Sequence, residues 1–196
     1  MMKVCFATNN SNKLSEIKDF LKDSSYEILS LSDIGCHADI PETSDTIEGN
    51  SLLKARYVFD RYNIACFADD TGLEVAAING EPGVRSARFA GDQRSAEDNN
   101  RLLLEKLKNK QDRSARFKTV ITWISDKEIK QFTGMVEGTI VDTYTGDKGF
   151  GYDPLFKPAG FDKTFAQMSM AEKNTISHRA LATGKLIDYL TLQKNK

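Results

Sequence analysis

The chain has 196 residues, of which 40% are hydrophobic and 28% are charged. This composition is typical of a globular protein and excludes the disordered and fibrous classes. The formal net charge of −1 argues against broad electrostatic binding to nucleic acid. The length suits one domain with a sizeable core, so we predict a single domain over residues 1–196.

The three cysteines, Cys5, Cys36 and Cys66, are odd in number and have no CxxC spacing. Cys5 and Cys66 lie within apolar runs, so we interpret them as small buried hydrophobic residues. This usage indicates a reducing compartment. The N-terminal apolar stretch is too short for a signal peptide, and no apolar run approaches the roughly 20 residues of a membrane span. We therefore predict a soluble cytoplasmic protein that does not bind a membrane.

Strand-like and helix-like patterns of apolar residues alternate along the chain. The predicted elements are, in chain order, a strand at 3–8, a helix at 13–21, a strand at 26–31, a helix from the Asp45/Glu48 capping pair to about residue 61, strands at 64–68 and 73–78, a helix capped by Ser95, strands at 116–124 and 129–141, and a final helix capped by Ser177. Because the middle of the chain is rich in strands, we predict an α/β fold with a mixed, twisted central sheet flanked by helices.

The first candidate binding motif is the polar segment TNNSNK, Thr8 to Lys13, between the first strand and the first helix. Such a loop presents free backbone N–H groups and the positive end of the helix dipole, which suit a phosphate. Lys13 opposes that dipole unless an anion offsets it. The segment lacks the glycines of a P-loop, and a tight loop with a solvated lysine is the alternative.

The second candidate is the pair Asp69 and Asp70, which ends the predicted strand at 64–68. Because α/β sheets place ligands at strand ends and neighbouring strand residues point to opposite faces, we predict that one carboxylate binds a divalent cation while the other orients its neighbours. Mg²⁺ prefers one or two carboxylates with water and substrate phosphates, which makes Glu42 in IPETSD a candidate partner. An Asx turn closing the strand is the alternative.

The third candidate is KGFGYDP, in which glycines flank Phe150 and allow unusual backbone angles. This pattern suits an exposed aromatic ring that stacks on a flat base, with Asp153 as a nearby hydrogen-bond acceptor. A glycine-rich hairpin around a core phenylalanine is equally consistent with the sequence.

The fourth candidate is EKNTISHRA, which places His178 and Arg179 in the first turn of the last helix. Cations there oppose the helix dipole, so a ligand is one reason for their presence, and Lys173 adds a charge to the same segment. A surface arginine with a half-buried histidine is the alternative. Lys54 and Arg56, on the second predicted helix, are interpreted from their position alone as solvent-exposed.

Six segments, taken in order, resemble the inosine triphosphate pyrophosphatase family: TNNSNK, ETSDTIEGNSLLKAR, FADDTGLEV, PGVRSARFAG, KGFGYDPLF and EKNTISHR. The resemblance runs from Val4 to about Leu190. It implies an elongated, two-lobed pyrophosphatase domain with a central cleft, Mg²⁺ as cofactor and a homodimer. It also implies hydrolysis of non-standard purine nucleoside triphosphates (ITP, dITP and XTP) to the monophosphate and pyrophosphate, which would keep the nucleotide pool clean.

The resemblance further implies a role for each matching residue. Asp70 would be the catalytic base, and Glu42 and Asp70 would bind the metal. The remaining matches would contact the substrate: Thr8, Asn9, Asn10, Ser11, Asn12, Lys13, Lys54 and Lys173 at the triphosphate, Thr71 beside Asp70, and Phe150, Gly151, Tyr152, Asp153, His178 and Arg179 at the base. Asn9 departs from the family, in which glycine is common at this position.

The mechanistic hypothesis is in-line attack of water on the α-phosphorus, with Asp70 accepting the proton of the water and the lysines stabilising the departing pyrophosphate. Arg179 can only donate hydrogen bonds, so it favours the 6-oxo group of ITP and XTP over the amino group of ATP. A non-hydrolytic nucleotide sensor and a binder of single-stranded RNA are the alternatives. The set of acids and lysines argues against the sensor. The net charge argues against the RNA binder, so we expect a small purine nucleotide and no nucleic acid as partner.

Overall fold

The computed structural model describes residues 1–22 and 24–194, apart from the side chains of Asn12, Glu16, Phe20, Gln193 and Lys194. Within these residues, strands and helices interleave and the middle of the chain is rich in strands, as predicted. The elements are β1 (Met2–Phe6), α1 (Ser11–Leu21), β2 (Tyr26–Leu29), α2 (Ile47–Tyr62), β3 (Cys66–Val75), β4 (Pro82–Gly83), α3 (Ala96–Lys106), β5 (Ser114–Ile124), β6 (Ile129–Ile140), β7 (Phe156–Pro158), α4 (Met170–Ile176) and α5 (His178–Lys194).

The strands form one mixed sheet in the order β2-β1-β3-β5-β6-β7, with β4 paired to β3. β1 runs parallel to both β2 and β3, and Cys5 lies opposite Cys66 in the register with β3. β4 is antiparallel to β3, and β7 is antiparallel to β6. The predicted α/β class with a mixed central sheet flanked by helices is therefore confirmed.

The chain divides into two compact units, and Asp70 and Thr71 in β3 are the boundary between them in sequence. The first unit contains Met1–Asp70, Val120–Thr133 and the segment that begins at Ala182. Its core includes Phe6 and Phe67, whose rings stack with centroids 4.6 Å apart. The second unit contains Thr71–Thr119 and Gly134–Leu181, and its core is built around aromatic side chains such as Phe117, Phe156 and Phe165.

The structure corrects the predicted elements in several places. The strands at 64–68 and 73–78 are the single strand β3, which continues through the two aspartates because lysines compensate their charges. α2 is capped by the Thr46 side chain, which accepts from Gly49 N, rather than by Asp45. The helix α4 was not predicted, although Ser169 and Glu172 form a capping box at its start.

Cys5, Cys36 and Cys66 are free and buried, which confirms the interpretation of Cys5 and Cys66 as buried residues. Burial raises the pKa of the Cys5 and Cys66 thiols to about 12. None of the helices among the described residues is both long and apolar enough to cross a membrane.

Candidate active site

In the first unit, β3 carries two adjacent buried carboxylates that contact different lysines. Asp69 Oδ2 lies 2.7 Å from Lys13 Nζ, and Asp70 Oδ1 lies 3.4 Å from Lys54 Nζ. Adjacent strand residues point to opposite faces, which explains why the two aspartates do not share one lysine. The two aspartates therefore have different partners, and the division of tasks between them stays a prediction.

Lys54 reaches inward from α2 and forms a second ion pair, at 2.5 Å, with Glu42 Oε1. We call Lys54, Glu42 and Asp70 the Lys54 cluster. The interpretation of Lys54 as solvent-exposed is wrong, because only 8% of the residue is accessible, whereas Arg56 is exposed as predicted. A helix position alone does not reveal burial when the compensating carboxylates come from other parts of the chain.

The Lys54 cluster shifts the protonation of its members. Burial raises the pKa of Asp70 above its ordinary value, and the attraction of Lys54 only partly opposes that shift. Burial alone would lower the pKa of Lys54, yet the carboxylates of Asp70, Asp69 and Glu42 raise the pKa above its usual range. Lys54 therefore stays charged, and Asp70 is a stronger proton acceptor than an ordinary aspartate.

The carboxylate oxygens of Glu42 and Asp70 in the Lys54 cluster are suitable ligands for Mg²⁺. Across the described residues, no group of three or more His, Cys, Asp or Glu side chains is arranged to hold a metal ion. Mg²⁺ does not need such a group, because one or two carboxylates with water and substrate phosphates suffice. Glu42 and Asp70 supply two carboxylates, which both contact the amine of Lys54. Asp70 Oδ2 is buried and has no hydrogen-bond partner within the described part of the chain, so it has capacity for a ligand.

The predicted phosphate loop lies at the start of α1. Asn10 Oδ1 accepts a hydrogen bond from Lys13 N at 3.2 Å, so Asn10 caps the helix. Asn10 N in turn donates to Thr8 Oγ1 at 3.2 Å. Asn9, Asn10 and Ser11 are exposed, whereas the side chain of Asn12 lies outside the described residues. The loop therefore presents a polar, accessible helix N-terminus.

In the second unit, glycines shape the loop of residues 148–154, which we call the Phe150 loop. Gly149 and Gly151 have φ values of 76° and 62°, a left-handed backbone that side chains disfavour. A Cβ at Gly149 would also lie 2.1 Å from Asp153 Oδ2. Phe150 is 42% exposed, so the alternative of a core phenylalanine does not hold.

The side chains of Asp153 and Lys173 stabilise the Phe150 loop, of which Asp153 is itself a member. Asp153 Oδ2 accepts a hydrogen bond from Phe150 N at 2.8 Å and contacts Lys173 Nζ at 2.5 Å. Both residues are buried, and Lys173 Nζ lies 4.9 Å from the centroid of the Phe150 ring. The family resemblance implies that Lys173 contacts the triphosphate, whereas the structure places Lys173 against the predicted base-binding residues Asp153 and Phe150.

His178 and Arg179 begin α5, where Ser177 Oγ caps the helix by accepting from Ala180 N. The His178 ring stacks on Phe117 with centroids 4.5 Å apart, and the Arg179 Cζ atom lies 5.6 Å from the Phe150 ring centroid. Both residues are buried, so the alternative of a surface arginine with a half-buried histidine is wrong.

Tyr152, Gly151 and Thr71 have neighbours in the second unit that sequence analysis missed. The buried Tyr152 hydroxyl donates to Ser86 O at 2.9 Å, and burial raises the Tyr152 pKa. Gly151 O accepts from Asn100 Nδ2 at 2.8 Å, and the hydroxyls of Thr71 and Thr119 lie 2.8 Å apart. The sequence could have indicated Asn100, because Asn100 precedes Leu103 by three residues and its amide therefore lies on the apolar face of a helix.

Comparison with known proteins identifies the family. The model of the Ham1 family matches residues 4–189. A dITP/XTP pyrophosphatase of Flavobacterium johnsoniae is 58% identical to this chain, over 98% of the chain and 100% of the relative. A dITP/XTP pyrophosphatase of Porphyromonas gingivalis is 51% identical, over 99% and 100%.

Comparison with solved structures points to the same family. The Ham1 protein of Staphylococcus aureus superposes with a TM-score of 0.92 at 41% identity, covering 97% of this chain and 99% of that protein. A HAM1 protein of Coxiella burnetii gives 0.93 at 35% identity, with the same coverage of 97% and 99%. The resemblance carried by the six sequence segments is confirmed, and the chain belongs to the Ham1 family.

Proposed function

We propose that this protein is a nucleoside-triphosphate pyrophosphatase that hydrolyses non-standard purine nucleoside triphosphates, such as ITP, dITP and XTP. The observation that carries the proposal is the Lys54 cluster, in which a buried aspartate and a glutamate meet one lysine amine. Full-length relatives named dITP/XTP pyrophosphatase support the same reaction. A sensor without turnover is not favoured, because binding alone does not require a proton acceptor with a raised pKa.

We propose that Glu42 and Asp70 hold the cofactor, Mg²⁺. When bound, Mg²⁺ neutralises phosphate charge and activates water. Asp70 also acts as the base, because burial raises its pKa and makes its carboxylate a better proton acceptor. Attack on the α-phosphorus then yields the nucleoside monophosphate and pyrophosphate.

The first unit also supplies the residues proposed to hold phosphate oxygens. Thr8, Asn9, Asn10, Ser11 and Asn12 precede or open α1, where backbone N–H groups and the helix dipole favour an anion. Lys13 and Lys54 add two positive charges. Each lysine is held in place by an ion pair with an aspartate, Lys13 with Asp69 and Lys54 with Asp70. These lysines would stabilise the pyrophosphate as it departs.

The second unit supplies the groups proposed to recognise the base. The exposed Phe150 ring offers a stacking surface, and Arg179 donates to the 6-oxo group of the purine. His178 is held against Phe117, which fixes its ring for a polar contact at the same edge. Gly151, Tyr152 and Asp153 shape the Phe150 loop, Lys173 supports it, and Thr71 follows Asp70 in β3.

We also propose that the protein acts in the cytoplasm as a homodimer and binds free nucleotides rather than nucleic acid or membranes. Three free, buried thiols are compatible with a reducing compartment. The net charge of −1 disfavours binding to polyanions.

The direct test is to incubate the purified protein with ITP, XTP, GTP and ATP, with Mg²⁺ and separately with EDTA, and to assay pyrophosphate and orthophosphate. We expect Mg²⁺-dependent release of pyrophosphate, mainly from ITP and XTP. Release of orthophosphate would contradict attack at the α-phosphorus. Tight nucleotide binding without turnover would assign the protein to the sensor class instead.

A further inference from the structure

Glu42 lies in the loop that precedes α2, and that loop is fastened to the first turns of α2 at two points. At the first point, Gly49 lets the loop approach closely, because a Cβ at Gly49 would lie 1.9 Å from Ser44 Oγ and 2.7 Å from Ser44 Cβ. At the second point, Asn50 Oδ1 accepts a hydrogen bond from Ser44 N at 2.8 Å. The backbone two residues after Glu42 is therefore fixed by a side chain of α2.

Asn50 is buried, with only 2% of the residue exposed, and its hydrogen bond with Ser44 N is partly buried. Asn50 and Lys54 are four residues apart, so they lie on the same face of α2. That face thus holds the loop through Asn50 and meets the carboxylate of Glu42 through Lys54. Loss of the Asn50 oxygen would remove the hydrogen bond that ties the Ser44 backbone to α2, while leaving Lys54 in place and the contacts of the Ser44 hydroxyl with Thr46 intact.

We infer that Asn50 is a positioning residue for the cation site: its amide oxygen holds the Ser44 backbone, and this contact keeps the Glu42 carboxylate beside that of Asp70. The inference rests on the proposed function only in taking Glu42 and Asp70 as the cation ligands. Residues behind the direct ligands of a metal set its affinity by fixing the geometry of those ligands.

The test measures binding of Mn²⁺, as a probe for Mg²⁺, to the full-length protein without nucleotide, by electron paramagnetic resonance of the free ion. Asn50→Ala should weaken Mn²⁺ binding by about tenfold or more. Asn50→Asp keeps an acceptor oxygen at the same position and should bind Mn²⁺ at least as tightly as the wild-type protein. Wild-type affinity in Asn50→Ala, or equally weak binding by both variants, would overturn the inference.

Asn99→Ala is the matched control. Asn99 is also a buried helical asparagine, and its Oδ1 accepts from Ala90 N at 2.7 Å, so it fastens a loop in the second unit. Asn99→Ala should lower the thermal midpoint by an amount similar to that of Asn50→Ala but leave Mn²⁺ affinity unchanged. Equal losses of Mn²⁺ affinity in the two variants would attribute the effect to general loosening and contradict a positioning role.

A double-variant cycle identifies the ligand through which Asn50 acts. If Asn50 works through Glu42, Asn50→Ala should cause little further loss of Mn²⁺ affinity in a Glu42→Gln background. A full additional loss there would overturn the route through Glu42. Because these measurements use no nucleotide, they remain decisive even if the protein proves to release a product other than pyrophosphate. Absence of Mn²⁺ binding by the wild-type protein would overturn this inference and the assignment of Glu42 and Asp70 as cation ligands, but not the proposed reaction, which the assay of pyrophosphate release tests separately.

Discussion

The two units use buried charge in opposite ways. In the first unit, three carboxylates, those of Glu42, Asp69 and Asp70, interact electrostatically with the single amine of Lys54. Burial raises the pKa of one of them, Asp70. In the second unit, the single carboxylate of Asp153 lies with the cations Lys173 and Arg179 around an aromatic ring. The first arrangement suits a divalent cation and proton transfer, and the second suits a flat ligand that accepts hydrogen bonds.

Because of this difference, we expect substitutions in the two units to have different effects. Changes in the Lys54 cluster should affect turnover, because its groups meet the reacting phosphate in the proposed mechanism. Changes around Phe150 should affect choice of base or the stability of the loop, because those side chains contact one another and offer a ring face. Four variants test the separation, from the largest expected effect to the smallest.

Asp70→Asn should have the largest effect on turnover. The amide cannot accept the proton of the attacking water, so kcat should fall by roughly 10²- to 10⁴-fold, as general-base removal typically does. Steady-state kinetics with ITP measure the loss, and circular dichroism checks the fold. Asp69→Asn is the paired variant, and because Asp69 contacts Lys13 it should raise KM more than it lowers kcat. Near-normal turnover by Asp70→Asn would remove Asp70 from the mechanism.

Lys173→Met should lower the free energy of unfolding by about 3 kcal/mol, because it leaves the buried Asp153 carboxylate without its cation. Equilibrium unfolding in urea measures the change. The double variant Lys173→Met/Asp153→Asn should recover most of that loss, since no unpaired charge remains buried. If the single and double variants were equally unstable, the ion pair would not be the source of the loss.

Arg179→Ala should reduce the preference for ITP over ATP by roughly 10- to 100-fold, since a buried donor facing an amino group is costly and its removal abolishes that penalty. The ratio of kcat/KM values for the two nucleotides measures the preference. Arg179→Lys keeps a cationic donor and should retain part of the discrimination. An unchanged ratio in Arg179→Ala would contradict the proposed recognition of the 6-oxo group.

Ser169→Ala should have the smallest effect, about 1 kcal/mol in the free energy of unfolding, because it removes the N-cap of α4, the helix that carries Lys173. The Ser169 backbone N–H donates to Glu172 Oε2 at 2.7 Å. This bond comes first among the contacts that lower the Glu172 pKa from 4.5 to about 2, followed by those with the Ser169 hydroxyl and Lys163. Their contribution is fully present above the ordinary pKa and is lost as the pH falls through about 2. Urea unfolding at neutral and acidic pH should show both proteins losing this contribution in acid, because Ser169→Ala keeps the backbone N–H, while most of the difference between them persists, because the cap bond from Glu172 N does not titrate.

The sequence predicts the local elements well where a short-range pattern controls them. Ser95 caps α3 and Ser177 caps α5, as their positions indicated. β3 was split because aspartates are rare within strands, and nothing local shows that Lys13 and Lys54 compensate them.

The candidate site could be predicted only in part. Residue types and family segments single out Asp70 and Glu42, which the structure brings to the amine of Lys54, but the burial of Lys54 depends on carboxylates that are distant from it in sequence. Asn50 gave no signal, because its importance lies in one hydrogen bond to the backbone of Ser44. Contacts of this kind belong to tertiary structure and cannot be read from periodicity.

The most direct test of the central claim is hydrolysis of ITP in water labelled with heavy oxygen, followed by mass analysis of both products. If Asp70 directs water to the α-phosphorus, the label should appear in inosine monophosphate and be absent from pyrophosphate. Label in pyrophosphate would show attack on the β-phosphorus and contradict the account, as would labelled orthophosphate from attack on the γ-phosphorus.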